Sequence, residues 1–288
     1  MWWLFLLASP VWAALSAEEY CHHHHLTCPY VRQTVSHRLA YIENHSTTAN
    51  YQLGLTSRLH HRIPEGRLSS RYRGGGGIVL DVASKGEAGS LDWRPYLGPV
   101  DDQGDCASCW AYAVVAALQV CHRRSISFGA VQQLVDCSTE GNRGCSGGLP
   151  VQTYKYLLRQ GLGEGTTCPT TPATKPLTGY QEVTPNDPAA LLAAVRINPV
   201  VVCIEAYQPV FQLYTGGILD TLECGTHYDH AVLIVGYGTA ETPTGSLDYW
   251  LIRNSWGTSW GEEGYARIKR VGGAGICGIN QLASYPTC

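Results

Sequence analysis

The chain has one methionine and three phenylalanines in 288 residues. Set against 32 glycines and 17 tyrosines, that scarcity argues against a helical bundle and for a loop-rich protein containing β structure. Charge is scarce as well. Twenty Lys and Arg against 23 Asp and Glu leave a formal net charge of −3. A phosphate reader needs clustered basic residues, so this balance gives no electrostatic case for nucleic acid as a partner. Past the N-terminus no apolar run reaches the roughly 18–20 residues that span a bilayer, and no internal repeat is visible. Cysteine, in contrast, is plentiful. Twelve exceed what a cytosolic enzyme carries and indicate an oxidising compartment. At 44 % hydrophobic and 15 % charged, the chain is too apolar for disorder and long enough for one or two packed domains.

Composition divides the chain. Residues 1–17, MWWLFLLASPVWAALSA, are an apolar core followed by small residues, with Ala14 and Ser16 at −3 and −1 of a cleavage site. They read as a secretory signal peptide. Residues 18–90 read as a pro-segment. They hold eight of the eleven histidines, and eight basic against six acidic residues give them a local charge of +2. Residues 91–288, with twelve against seventeen, carry −5. The run Arg73-Gly74-Gly75-Gly76-Gly77 between them is a flexible, cleavable connection. The one glycosylation sequon, Asn44-His45-Ser46, falls in the pro-segment. The tract Cys21-His22-His23-His24-His25-Leu26-Thr27-Cys28 has ligands for zinc or copper, but no carboxylate or second half-site accompanies it. It reads as a solvated polar stretch, with a Cys21–Cys28 bridge left open, and no metal or cofactor is expected.

In the working domain, residues 109–124 are apolar almost all the way round, which predicts a buried helix with Ser108 as N-cap. Shorter helices are predicted over 131–137 and 152–160. Asn186-Asp187-Pro188 opens another, over 189–196. After Pro199 come short β-rich runs at 200–206, 231–236, 248–253 and 264–271. A helical half (about 91–185) followed by a strand half (about 186–288) implies an α+β class: two lobes with a cleft between them.

Cys109 lies in the first turn of the buried helix, where the dipole and unpaired N–H groups favour a thiolate. A thiolate nucleophile needs an imidazole to protonate the leaving group. The domain offers three. His122 lies at the far end of the helix, His227 in a Gly-Thr loop, and His230 opens an apolar strand, where it would be held rigidly. Asn254 can fix the orientation of the ring, Trp256 can shield that bond, and Gln103 can face a developing oxyanion together with the Cys109 N–H. A redox pair at Cys106-Ala107-Ser108-Cys109, or a zinc site using it, accounts for neither Gln103 nor the His230 and Asn254 segments.

Three segments resemble the papain-like cysteine peptidases of the cathepsin L, F and O types: Gln103-Gly104-x-Cys106-x-Ser108-Cys109-Trp110, Asp229-His230-Ala231-Val232 and Asn254-Ser255-Trp256-Gly257-x-x-Trp260-Gly261. Order and spacing both fit, and the likeness spans essentially all of 91–288. The resemblance implies a helical lobe beside an antiparallel, β-barrel-like lobe. It implies Cys109 as nucleophile, His230 as acid/base, Asn254 as orienter and Gln103 in the oxyanion hole of an endopeptidase made as a zymogen. It implies disulfides Cys106–Cys145, Cys137–Cys168 and Cys224–Cys277. Eleven cysteines remain beside the nucleophile, so at least one stays unpaired; Cys203 is assigned to that role, and a Cys121–Cys288 bridge is left open. Substrate backbone is expected against Gly147 and Gly148, and an apolar S2 pocket from Leu149, Pro150, Cys203, Tyr228, Ala231 and Leu282.

The implied partners are peptide or protein substrates, the chain's own pro-segment and cystatin-type inhibitors. The implied setting is the secretory pathway, ending in a lysosome or outside the cell. There are departures. Ala107 stands where the family carries glycine, and its methyl is expected to narrow the S1 side. The pro-segment resembles the family's only around Tyr41-Ile42-Glu43-Asn44 and Tyr51-Gln52-Leu53-Gly54-Leu55, and the helix before them is degraded. The rival reading is a catalytically weak or inactive binding or matrix protein on the same fold.

Overall fold

The computed structural model describes residues 16–23, 28–45, 49–59, 89–123, 126, 128–163, 168–171 and 173–288. The apolar part of the signal peptide, the glycine run and most of the histidine tract lie outside these residues, as does the side chain of Cys28.

Helix α3 (Cys109–His122) runs through the centre of the helical lobe, buried from Cys109 through Leu118. With no polar face to offer, it can only be an interior helix. Two earlier helices, α1 (Ala17–His23) and α2 (Cys28–Glu43), lie almost wholly in the residues read above as a pro-segment. Helix α3 ends where Arg123 turns left-handed at φ 51° and returns its N–H to Gln119 and Val120. Ser108 holds the N-cap position but makes no side-chain cap bond; its Oγ lies 3.4 Å from the Cys106 carbonyl instead. Helices α4 (Phe128–Cys137) and α5 (Pro150–Gln160) pack on α3 in one apolar cluster. Between them the buried Gln133 is fully used. It donates to the Tyr156 hydroxyl (3.1 Å) and the Gly161 carbonyl (3.2 Å) and accepts from the Gly163 N–H (2.8 Å). Helix α6 (Pro188–Ile197) begins as its sequence predicts, with Asp187 accepting from the N–H groups of Ala189 and Ala190 at 3.0 Å.

The second lobe is a sheet of nine strands: β1 (Tyr51–Leu53), β2 (Leu91–Asp92), β3 (Gly179–Glu182), β4 (Val200–Ile204), β5 (Tyr214–Leu219), β6 (His230–Thr242), β7 (Gly245–Arg253), β8 (Tyr265–Lys269) and β9 (Ala283–Thr287). Their order is β1-β5-β8-β7-β6-β4-β9-β3, with β2 laid on β6. The α+β class holds, but the expected antiparallel, barrel-like lobe does not. The sheet is open and mixed, because β5 joins β8 in parallel. In the meander β6-β7-β8 each strand reverses the last, and β5 enters at its outer edge rather than by a hairpin. Strand β1 of the pro-segment then covers the other side of β5, pairing Tyr51 with Gly217. Strand β2 crosses so close to β6 that a Cβ on Gly236 would lie 2.1 Å from the Leu91 carbonyl oxygen. Among the described residues no helix is long and apolar enough to cross a membrane.

The pro-segment lies against the β lobe. Ala17, Tyr20, Val35 and Leu59 cluster with Leu213. The buried Arg38 donates to the carbonyls of Arg58 and Leu59 and to Gln212 Oε1, and Thr56 Oγ1 donates to the Gln212 carbonyl at 2.7 Å. The segment whose amphipathic pattern is degraded still forms a helix, α2, and its Arg38 holds the chain at residues 58 and 59.

Among the described residues four disulfides are present: Cys106–Cys145, Cys137–Cys168, Cys224–Cys277 and Cys121–Cys288. The last ties the end of α3 to the end of the chain, 167 residues on. Replacing both its cysteines by alanine is expected to lower unfolding free energy by on the order of 3 kcal/mol, since the unfolded chain gains the freedom of a long loop. Denaturant titration measures the loss.

Candidate active site

Three elements converge on one point at the lobe boundary. Helix α3 contributes its first residue, Cys109, and β6 contributes its first residue, His230. The segment after β7 contributes Asn254. The N–H of Ala231, next to His230, lies 3.4 Å from Cys109 Sγ. His230 Nε2 is 2.8 Å from Asn254 Oδ1, which leaves Nδ1 as the ring's other nitrogen. Asn254 is itself held, because its Oδ1 accepts the Ser255 N–H at 2.8 Å and its N–H donates to the Gly264 carbonyl at 2.9 Å. Trp256 covers the pair, its ring 4.7 Å from the imidazole and tilted by 31°. Phe211 and Trp260 meet Trp256 edge-on. Of the three histidines of the domain, His230 is the one whose chain neighbour meets the sulfur. His122 contacts the Pro176 carbonyl at the far end of α3, and His227 is fully exposed.

Gln103 is placed by two contacts on opposite ends of its amide. Its Nε2 donates to the Cys106 carbonyl at 2.8 Å, and its Oε1 accepts from Ser255 Oγ at 2.6 Å. One amide hydrogen remains to face the cleft. Ser255 is a positioning residue that sequence reasoning missed, although it stood inside the quoted motif. Gly148 has a different reason from the one expected. A Cβ there would lie 2.6 Å from Asn142 Oδ1 and 2.8 Å from Trp110, so its bareness serves packing under the cleft. Gly147 has φ 109°, a conformation that favours glycine. Ala107 has its methyl buried, and its N–H donates to the Cys145 carbonyl at 3.0 Å.

Leu149, Pro150, Cys203 and Leu282 line one apolar pocket together with Val151, Val201 and Ser284. Tyr228 and Ala231 are not among its walls. Ala231 lines a larger cavity behind Asn254, between the lobes, and Tyr228 packs on the helical-lobe cluster. Cys203 is an unbridged thiol, and burial pushes its pKa far up.

The electrostatics differ from the expected thiolate. Cys109 is 4 % exposed. Burial pushes its thiol up to about 11, against the pull of the Ala231 and Trp110 N–H groups, and the charge of Asp229 adds to the rise. Burial brings His230 down to about 4, opposed by the Asn254 hydrogen bond and helped by the charge of Arg58. Burial thus disfavours the charged form of both partners, the thiolate and the imidazolium. Asp229 accepts from the N–H groups of Ala206 (2.7 Å) and Tyr207 (3.1 Å), yet burial, with Glu205 beside it, lifts it to about 7. Residues 102 and 58 also enter the site: Asp102 bridges to Trp256, and Arg58 lies over the Trp256 ring. Neither carried a signal in the sequence, since their roles depend on where the pro-segment lies.

Comparison with known proteins agrees with this geometry. Residues 88–287 match the family described as papain family cysteine protease. The chain is 39 % identical over 218 residues to cysteine protease XCP2 of Arabidopsis thaliana, covering 69 % of this chain and 60 % of that protein. It is 42 % identical over 219 residues to the senescence-specific cysteine protease SAG12 of the same plant, covering 69 % and 62 %. The chain thus spans about six-tenths of the length of these curated relatives. Among solved structures, the digestive procathepsin L2 proteinase of Tenebrio molitor larval midgut superposes with a TM-score of 0.78 at 28 % identity. The match covers 96 % of this chain and all of that one.

Two outcomes are expected. The rate of Cys109 alkylation by iodoacetamide in the intact chain, followed by mass spectrometry, should keep rising with pH beyond 8 and level off only as pH approaches about 11. Stability should carry two opposed slopes. A carboxyl raised to about 7 contributes stability below its unfolded value and loses it as pH climbs through 7. An imidazole lowered to about 4 contributes above its unfolded value and loses it as pH falls through 4. Asp229→Asn should therefore become more stable relative to wild type as pH rises from 4 to 7, by on the order of 2–4 kcal/mol, read by denaturant midpoints.

Proposed function

The chain belongs to the papain family of cysteine proteases, and from that membership we propose that it is a cysteine endopeptidase made as a zymogen. The observation that carries the reading is the meeting of the α3 N-terminus with the first residues of β6 at 3.4 Å, with the imidazole already bonded to Asn254. Removal of the pro-segment admits water to the cleft, and the proton moves from Cys109 Sγ to His230 Nδ1. The thiolate attacks the scissile carbonyl carbon. The oxyanion is met by the Cys109 N–H and the free amide hydrogen of Gln103. The imidazolium returns its proton to the leaving amine as the C–N bond breaks, leaving a thioester on Cys109. Water, deprotonated by the same imidazole, then releases the acid and the thiol. Asn254 keeps the ring in one orientation throughout, and Trp256 keeps water off that bond.

The apolar pocket of Leu149, Pro150, Cys203 and Leu282 supports a preference for Leu, Val or Phe two residues before the cut. No carboxylate lines it, so a buried guanidinium there would go unpaired. The signal-like N-terminus and the cysteine content support passage through the secretory pathway, to a lysosome or the exterior, with glycosylation at Asn44. The pro-segment is read as the first inhibitor, and cystatin-type proteins as later ones.

A thiol-reactive epoxide should label Cys109 one-to-one after processing, and His230→Ala should abolish labelling. A positional-scanning peptide digest should show the apolar preference. Absence of both labelling and cleavage would leave the binding-protein reading standing, and a strong preference for Arg in that pocket would overturn the S2 assignment.

A further inference from the structure

Among the described residues before the Gly-rich run, Arg58 stands against Trp256 and Asp102. Arg58 sits on the turn at residues 56–59, whose backbone is held from both sides. Its carbonyl accepts from Arg38, and its N–H donates to Thr56 Oγ1 at 3.2 Å. From there the side chain reaches the wall of the catalytic centre. The guanidinium carbon lies 4.6 Å from the centre of the Trp256 ring, and Nη2 lies 3.3 Å from Asp102 Oδ1. The Arg58 side chain is 5 % exposed, whereas that of Asp102 is 50 % exposed and open to a ligand from solvent. Arg58 Nε is buried and finds no acceptor among the described residues. The aromatic face and the Asp102 carboxylate hold the head, and the charge of Asp105 also acts on it.

Strand order, taken with the pocket assignment proposed above, sets which side of the scissile bond this is. Across the sheet the sequence β7-β6-β4 puts the Asn254–Trp256 segment on one flank of His230 and Cys203, with the apolar pocket, on the other. The apolar pocket takes the acyl side of a substrate. The Trp256 flank, beyond the imidazole that protonates the departing amine, takes the leaving side. Asp102 is fixed against that flank by its bridge to Trp256, and the Gly257 N–H donates to the Asp101 carbonyl at 3.0 Å.

We propose that the face of Trp256 and the carboxylate of Asp102 form a guanidinium subsite on the leaving-group side of the cleft, which Arg58 fills in the zymogen and which selects arginine there in a cleaved substrate. The role in cleavage rests on the peptidase reading above. A cation over an indole and a carboxylate at its edge discriminate by charge and planarity together, which an aliphatic side chain cannot match. Arg58 is then both plug and template: the residue that closes the site shows what the site accepts.

The first test needs no turnover. In the full chain, Arg58→Ala vacates the subsite. N-acetyl-arginine amide should then raise the melting temperature more than N-acetyl-leucine amide does. Wild type, whose site is filled, should not respond, nor should Arg58→Ala combined with Asp102→Asn. Should Arg58→Ala fail to fold, Arg58→Met keeps the side-chain stem and takes its place. Equal shifts from the two amides, or an undiminished response with Asp102→Asn, would overturn the subsite. The second test uses processed wild-type protein and quenched peptides that differ only in the residue after the cut. Arginine should exceed leucine by about tenfold in kcat/KM, and the ratio should fall toward one in Asp102→Asn; a flat profile overturns the selection. Selective binding of the arginine amide by a chain that cuts no peptide upholds the subsite and overturns the peptidase reading instead.

Discussion

Everything at the candidate site depends on the 2.8 Å bond between His230 and Asn254, because it turns a rotatable ring into a fixed one. The bond exists because two neighbouring strands set its ends. His230 is the first residue of β6, and Asn254 follows the last residue of β7, whose Arg253 pairs with Leu233. One register thus decides both positions. The opposite member, Cys109, is set by a different lobe, through the buried length of α3. The two halves of the site are each rigid, and only their meeting is adjustable.

That arrangement explains why the charge state differs from what the helix N-terminus alone would give. Three backbone N–H groups, those of Ala231, Trp110 and Cys109 itself, favour a thiolate on Cys109, but enclosure outweighs them. The positive charge of Arg58, far away in sequence, further disfavours an imidazolium. The turn at residues 56–59 thereby stands beside the indole and adds a charge that opposes ionisation of the ring.

Much of this was legible in the residues. The unbroken apolar run of α3 and the Asp187 cap of α6 name their elements without help from the fold. Cys109, His230 and Asn254 stand in dense local motifs, so their convergence could be anticipated. The strands β3, β5 and β9 could not be read, since Gly216 and Gly217 interrupt β5 and Pro286 lies inside β9, and each is a strand only because a neighbour pairs with it. The parallel joining of β5 to β8 is a property of chain path rather than of composition. Gly148 was read as clearance for a ligand, whereas Asn142 and Trp110 occupy the space. Arg58 and Asp102 gave no pattern at all, because proximity across 44 residues has no local signature.

Strand β5 illustrates a further consequence of sharing an edge with a disposable segment. While β1 is in place, the Ile218 N–H is bonded to the Asn50 carbonyl at 2.7 Å, and the outer rim of the sheet is satisfied. The maturation proposed above would strip that rim and leave a bare polypeptide border with glycines at its centre. Such a border is open to strand addition by an extended chain.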